Sequence, residues 1–185
     1  MTEPVVAGRV PAKGKLKATV LLALTLSACG GSAPPPPSIV CPPPLTVQDA
    51  SRITHFKDGA GRDPRDIAYE AALVNSGSTC QLGNKSLDVT VIMIVSVSAG
   101  PAVTPGQTRV PYFVRVLDGS GRVVQGQDFT ADFKLASGSP RGESREELSL
   151  TLPFGELKDL TGYRIAVGLK PSQAELDYNR RAAGR

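Results

Sequence analysis

Histidine, cysteine and paired carboxylates carry much of the chemistry that proteins of this size perform, and this chain has few of them. In 185 residues there is one histidine, His55, and there are three cysteines, Cys29, Cys41 and Cys80. A hydrolase of the serine type needs a nucleophile, a base and an orienting acid. Here His55 is the sole imidazole, and no Gly-x-Ser-x-Gly elbow presents a serine. A lone histidine in a short strand reads as an ordinary satisfied side chain. Glu146 and Glu147 are adjacent, and neighbours along a strand point to opposite faces, so they do not share a site. The segment KDGAGRDPRD (57–66) holds Asp58, Asp63 and Asp66. Counted from Asp58, its third and fifth positions are Ala60 and Arg62, and Asp63 stands where a calcium loop needs glycine. Its alternating charges read as a turn of Asp/Arg pairs. Neither GAG nor GSG lies between a buried strand and a helix, as a phosphate loop must. No enzyme and no cofactor are expected.

The cysteines point to an address. Lys13, Lys15 and Lys17 precede the apolar run ATVLLALTLSA (18–28), which ends directly at Cys29. Eleven residues at about 1.5 Å each do not cross a hydrocarbon core of about 30 Å. Basic residues, an apolar run and small residues follow one another as in a secretory signal. The tetrad Leu26-Ser27-Ala28-Cys29 resembles the lipobox of bacterial lipoproteins. That resemblance implies cleavage before Cys29, a diacylglycerol on its sulfur and usually acylation of the new amino terminus. Several acyl chains anchor a protein stably where one does not. Gly30 after the lipidated cysteine, by the same analogy, favours the outer membrane. The other readings are an ordinary secretory signal with an incidental cysteine, or an uncleaved anchor. With Cys29 taken by lipid, Cys41 and Cys80 remain as a pair in an oxidising compartment, either bridged or as two free thiols. No thiolates are then left over for zinc or copper. Between lipid and domain, GGSAPPPPSIVCPPP (30–44) reads as a tether, swivelling at Gly and Ser and stiffened by proline. A proline-rich docking ligand is the alternative.

From Leu45 the chain turns to short alternating runs with turn signals between them. Strands are expected over 51–57, 66–74, 87–98, 109–118, 122–135, 147–154 and 163–170. The run LDVTVIMIVSVS (87–98) is the strongest, with an unbroken apolar face at Leu87, Val89, Val91, Met93, Val95 and Val97. DGSG (118–121) reads as a hairpin turn. Ser172 and Glu175 form a capping box that starts a short helix, with Ala174 and Tyr178 on one face. The expected fold is an all-β, antiparallel immunoglobulin-like β-sandwich of about seven strands with a short C-terminal helix. The expected organisation is a signal peptide over 1–28, a tether over 29–44, the sandwich over 45–181 and a disordered tail over 182–185.

The stretch LSLTLPFGELKDLTGYRIAVGL (148–169) resembles the corner between strands E and F of immunoglobulin-like and fibronectin type III domains. The resemblance implies that Tyr163 is the corner tyrosine, its hydroxyl bonded to backbone a few residues upstream. Two features depart from it: the chain has no tryptophan, and no clear strand follows Lys170. The wider pattern is similar to a group of uncharacterised alphaproteobacterial lipoproteins. It comprises DASRITHF, GRDPRDIAYEA, VPYFVRVLD and GYRIAVGL followed by AELDYNR. That likeness implies the same fold and address and carries no chemistry.

The formal charge of +4 is concentrated at the front: beyond residue 28 there are 17 basic and 16 acidic side chains, scattered along the chain. A nucleic-acid reader needs a basic stripe on its folded surface, so no nucleic-acid partner is expected. With no tryptophan and few aromatics, a carbohydrate platform is disfavoured. On the strongest strand Ile92 and Ile94 are apolar on the face that a sandwich shows to water. Either the C-terminal helix or a loop covers them, or a partner protein does. The expectation is a lipid-anchored, non-enzymatic protein-binding or assembly module of the cell envelope. The alternative is a carrier or sensor of a small apolar ligand between the sheets, with Ala68, Ala71, Ala72 and Ala131 as lining.

Overall fold

The computed structural model describes residues 39–59, 61–136 and 138–184, and Cys29 lies outside them. Eight strands follow in order: β1 (Pro44–Thr46), β2 (Arg52–Phe56), β3 (Ile67–Leu82), β4 (Ser86–Ala99), β5 (Gly106–Leu117), β6 (Val123–Leu135), β7 (Arg141–Pro153) and β8 (Arg164–Leu169). Among the described residues there is one α-helix, α1 (Gln173–Ala182), after β8. The strands form two four-stranded sheets, ordered β1-β8-β5-β6 and β2-β3-β4-β7. Every pairing is antiparallel except that of β1 with β8. The protein is an all-β sandwich of two mostly antiparallel sheets with a short C-terminal helix. Its strand order differs from that of an immunoglobulin domain. The meander β2-β3-β4 keeps three consecutive strands in one sheet, which the ABED and CFG order of an immunoglobulin constant domain does not.

Alternation builds the core. Leu87, Val89, Val91, Met93, Val95 and Val97 of β4 are all buried and face Val110, Val114, Val116, Ile165, Val167 and Leu169 of the other sheet across one apolar cluster. Each buried side chain of this size contributes about 1.5–3 kcal/mol, and β-branched residues fit the pleat well. The DGSG turn joins β5 to β6 as expected: the Asp118 carboxylate accepts the backbone N–H of Ser120 and of Arg122, and Gly121 takes a left-handed φ of 82°.

Three elements differ most from the expected boundaries. β3 runs on to Leu82 because a bulge between Leu73 and Asn75 inserts one residue. Before it Ala71 and Leu73 share a face with Val97 and Val95; after it Ser76, Ser78 and Cys80 share that face with Met93, Val91 and Val89. The parity flips, so a single period does not describe the strand. β7 starts at Arg141, six residues before the apolar run, since regular pairing with β4 carries the polar stretch along. β1 is the eighth strand; it begins at Pro44, the last residue of the segment read as tether, and runs on into the segment read as sandwich. Proline is tolerated as the first residue of a strand, and Leu45 sits opposite Ala166 in β8.

The arm ahead of β1 also belongs to the fold. Cys41 and Cys80 are bridged, with their Cα atoms 5.6 Å apart. The Ser78 hydroxyl donates to the Pro42 carbonyl at 2.8 Å, and Ile39 and Cys41 pack on the core. After β4 the chain doubles back tightly: Gly100 donates to the Ala68 carbonyl and Ala102 to that of Ile67, each at 2.9 Å. A Cβ at Gly100 would lie 2.2 Å from the Ile67 carbonyl oxygen.

Candidate functional site

The outer face of β2-β3-β4-β7 and the helix beside it enclose a recess. The sequence PSQAEL starts α1 with a reciprocal cap: the Glu175 backbone N–H donates to Ser172 Oγ, and Glu175 Oε2 accepts from the Ser172 backbone N–H at 2.7 Å. The helix packs on β2 and on the 3-10 turn Gln48–Ala50. Tyr178 meets Phe56 edge to face with centroids 5.0 Å apart, and Asn179 Nδ2 donates to the Arg52 carbonyl at 2.9 Å. Arg180 pairs with Asp49 at 3.2 Å. The packed side is thus Glu175, Tyr178 and Asn179; Ala174, expected to share it, is exposed.

With α1 as one wall, a groove of about 1040 Å³ opens over the sheet. Ala72, Ser96 and Ser98 are its small floor residues, and Arg52, Glu70 and Glu143 bring both signs of charge to it. Short side chains make room for a ligand backbone, and the flanking charges offer orientation. Ile92 and Ile94 continue the same face of β4, half-buried. Across the strands they stand opposite Gly77 and Asn75 on one side and Glu147 and Arg145 on the other. Since α1 packs on β2, two strands away, the helix is not their cover.

His55 is tied to α1. Its Nδ1 lies 2.8 Å from Glu175 Oε1, a contact spanning 120 residues, and its ring stacks on Tyr69 with centroids 4.7 Å apart. The hydrogen bond to Glu175 raises the His55 pKa above its ordinary 6.5 against the opposing pull of burial. Burial by itself would lift the Glu175 carboxyl, but the bonds from His55 and Ser172 outweigh it and hold the group below its ordinary value. Ser172 Oγ also bonds Glu175 Oε2, at 2.8 Å. Serine, carboxylate and imidazole are therefore chained with the carboxylate in the middle. A nucleophilic triad needs the imidazole in the middle, so this constellation clamps a helix and activates no hydroxyl.

Glu146 and Glu147 diverge as adjacent strand residues do. Glu147 pairs outside with Arg145 at 2.8 Å. Glu146 points toward the other sheet and accepts from the Tyr112 hydroxyl at 2.7 Å and from Ser144. Burial, reinforced by Glu146, pushes the Tyr112 hydroxyl above the usual phenol range. Tyr163 precedes β8, and its hydroxyl donates to the Pro153 carbonyl at 2.9 Å, ten residues upstream. It holds the corner formed by the 3-10 turn Leu157–Gly162. Among the described residues no cluster of three His, Cys, Asp or Glu side chains is arranged to hold a metal ion, and no helix is long and apolar enough to cross a membrane.

The structure does not bring the singled-out residues into one place. The Cys41–Cys80 bridge is at the end of β3 that follows the bulge, Tyr163 at the β7–β8 corner, and Ile92 and Ile94 on the outer face. Sequence reasoning missed the groove, because its wall and floor come from segments more than 70 residues apart. It also missed the His55–Glu175 clamp. The one available signal was the capping-box glutamate, whose second oxygen is free to bond elsewhere. No family model matches this chain, and no curated protein sequence does.

Proposed function

We propose that this protein is a lipid-anchored lipoprotein of the bacterial cell envelope, facing the periplasm from the outer membrane rather than the inner. It works without catalysis, by holding an extended segment of a partner protein on the outer face of β2-β3-β4-β7. The observation that carries the binding half is the groove between α1 and that sheet, continuous with the half-buried Ile92 and Ile94. A sandwich commonly presents such faces and edges to polypeptides, although fold alone assigns no function. The address rests on the lipobox-like Leu26-Ser27-Ala28-Cys29 and the basic and apolar run before it. The Cys41–Cys80 bridge agrees with an oxidising compartment.

The alanines weigh against the apolar-ligand carrier. Ala71 and Ala131 point inward and are 3% and 1% exposed, packed within the core. Ala72 lies instead on the groove floor, and Ala68 at the start of β3. Two measurements test the proposal. Intact-mass spectrometry of the protein extracted from its native envelope should find a chain beginning at acylated Cys29, each sulfur of the bridge gaining a hydrogen on reduction. An unmodified Cys29 would overturn the anchor. Photo-crosslinkers placed at Ile92 and at Ser96 should capture one and the same envelope protein, while one at exposed Thr130 on the opposite sheet should not. Equal capture from all three positions would overturn the binding face.

A further inference from the structure

β7 is an edge strand whose charges are complementary to themselves. Among the described residues it pairs with β4 alone. That pairing is regular from Ser86↔Pro153 to Ser98↔Arg141, with no bulge. At its two ends Ala99 N–H donates to the Pro140 carbonyl and Phe154 N–H to the Lys85 carbonyl. In an antiparallel ladder, residues that bond the neighbouring strand alternate with residues whose N–H and C=O point away. The even residues of β7 therefore face β4. Arg141, Glu143, Arg145 and Glu147 turn their backbone groups to the open edge, and their side chains are exposed on the outer face.

These four read Arg, Glu, Arg, Glu at every second position. Reversed, the series becomes Glu, Arg, Glu, Arg. A second copy laid antiparallel along this edge, with the two-fold axis at Ser144, places Arg141 opposite Glu147 and Glu143 opposite Arg145, each pair occurring twice. All four contacts join opposite charges, and all fall on residues whose edge backbone groups are available to bond. Between them Gly142, with no side chain, stands opposite Glu146, which Tyr112 and Ser144 already satisfy. Moving the axis by one residue to Arg145 or Glu143 sets Arg against Arg or Glu against Glu. Moving it by two leaves only one complementary pair and its symmetry mate. We infer that β7 is a homodimer interface, in which two copies join edge to edge about Ser144 into a continuous eight-stranded sheet. Such an isologous contact closes on itself and does not propagate. Edge charges often serve only to repel stray strands, but a random mixture of signs would do that without the reversal symmetry seen here.

The test is a charge swap in the full-length chain, read by sedimentation equilibrium in density-matched detergent. The parent should dimerise. Glu143→Arg and Arg145→Glu should each weaken the dimer by roughly tenfold or more, since each turns two cross-strand attractions into repulsions. Mixed together, the two variants should form a heterodimer, because every facing pair is again opposite in sign. Urea unfolding of each variant confirms that it is folded, as expected for substitutions at exposed positions. A parent that stays monomeric at the highest attainable concentration would overturn the inference and leave the charges as edge protection. Folded single variants that dimerise like the parent, or that fail to associate when mixed, would overturn it too. The inference stands apart from the lipid anchor, but it shares Arg141 and Glu143 with the lining of the partner groove; Arg145→Glu, outside that lining, reads the dimer without altering the groove.

Discussion

Adding the same methyl group at two glycines should have opposite effects. Gly100 and Gly77 lie beside the same pair of strands. At Gly100 an added Cβ would sit 2.2 Å from the Ile67 carbonyl oxygen and 2.7 Å from its carbonyl carbon, where ordinary contact begins near 3.4 Å. The obstacle is backbone, so no side-chain rotation relieves it. The turn after β4 must move off β3, loosening the bonds from Gly100 to Ala68 and from Ala102 to Ile67. Two backbone hydrogen bonds at about 1 kcal/mol each and an overpacking cost of about 1–3 kcal/mol give a loss of roughly 3–5 kcal/mol for Gly100→Ala. At Gly77 nothing lies within 4 Å of the same atom, and its φ is not left-handed. There Gly→Ala removes only unfolded-chain freedom and should stabilise by about 0.5–1 kcal/mol. Equilibrium urea unfolding of both variants measures the difference, with unchanged slopes showing that only stability has moved. If Gly100→Ala unfolds within about 0.5 kcal/mol of the parent, the close approach of the two backbone segments is wrong.

Further outcomes follow from the bridge and from the helix clamp. Cys41→Ser or Cys80→Ser should each cost about 4 kcal/mol for a closed loop of this length, and the double variant should cost no more than either alone. Additive losses in urea unfolding would mean that the sulfurs act separately. The pH dependence of α1 docking has two limbs. The Glu175 pKa is held below its ordinary 4.5, so its contribution is present above that value and fades as pH falls through the lowered one. The His55 pKa is raised above 6.5, so its contribution is complete below that value and fades as pH rises through the raised one. Helix docking should therefore be firmest between about pH 4.5 and 6.5. Amide exchange in α1 should show this, and His55→Ala should remove the alkaline limb while leaving the sandwich itself unchanged.

What could be read from the sequence follows how far each residue's surroundings are local. β4 was plain because its inner face meets apolar side chains along its whole length, so every second residue is Leu, Val or Met. The second half of β3 was not, because Ser76, Gly77 and Ser78 have weak strand preference and the bulge at Val74 breaks the period. The first half of β7 escaped for a related reason: its inward positions Gly142, Ser144 and Glu146 are polar or absent, and pairing with β4 supplies the order that alternation does not. β1 was missed because it is only three residues long and begins at the last proline of a stretch whose composition reads as spacer. The hydroxyl bond of Tyr163 could be anticipated because the motif around it is contiguous. The groove and the His55–Glu175 clamp could not, since each depends on α1 meeting residues far earlier in the chain.

The bridge also decides how the domain bears a mechanical load. A pull on the chain ahead of Cys41 does not peel β1 from β8 or β2 from β3. It passes through the sulfurs to Cys80, at the far end of β3, and the 39-residue separation between the cysteines stays out of the loaded path. Stretched from its N-terminal side, the oxidised protein should extend by about 130 Å less than the reduced one, at about 3.4 Å per residue. β1, β2 and most of β3 would then be slack while the rest of the sandwich unravels. Held from that end, the domain would keep its first strands out of the line of force.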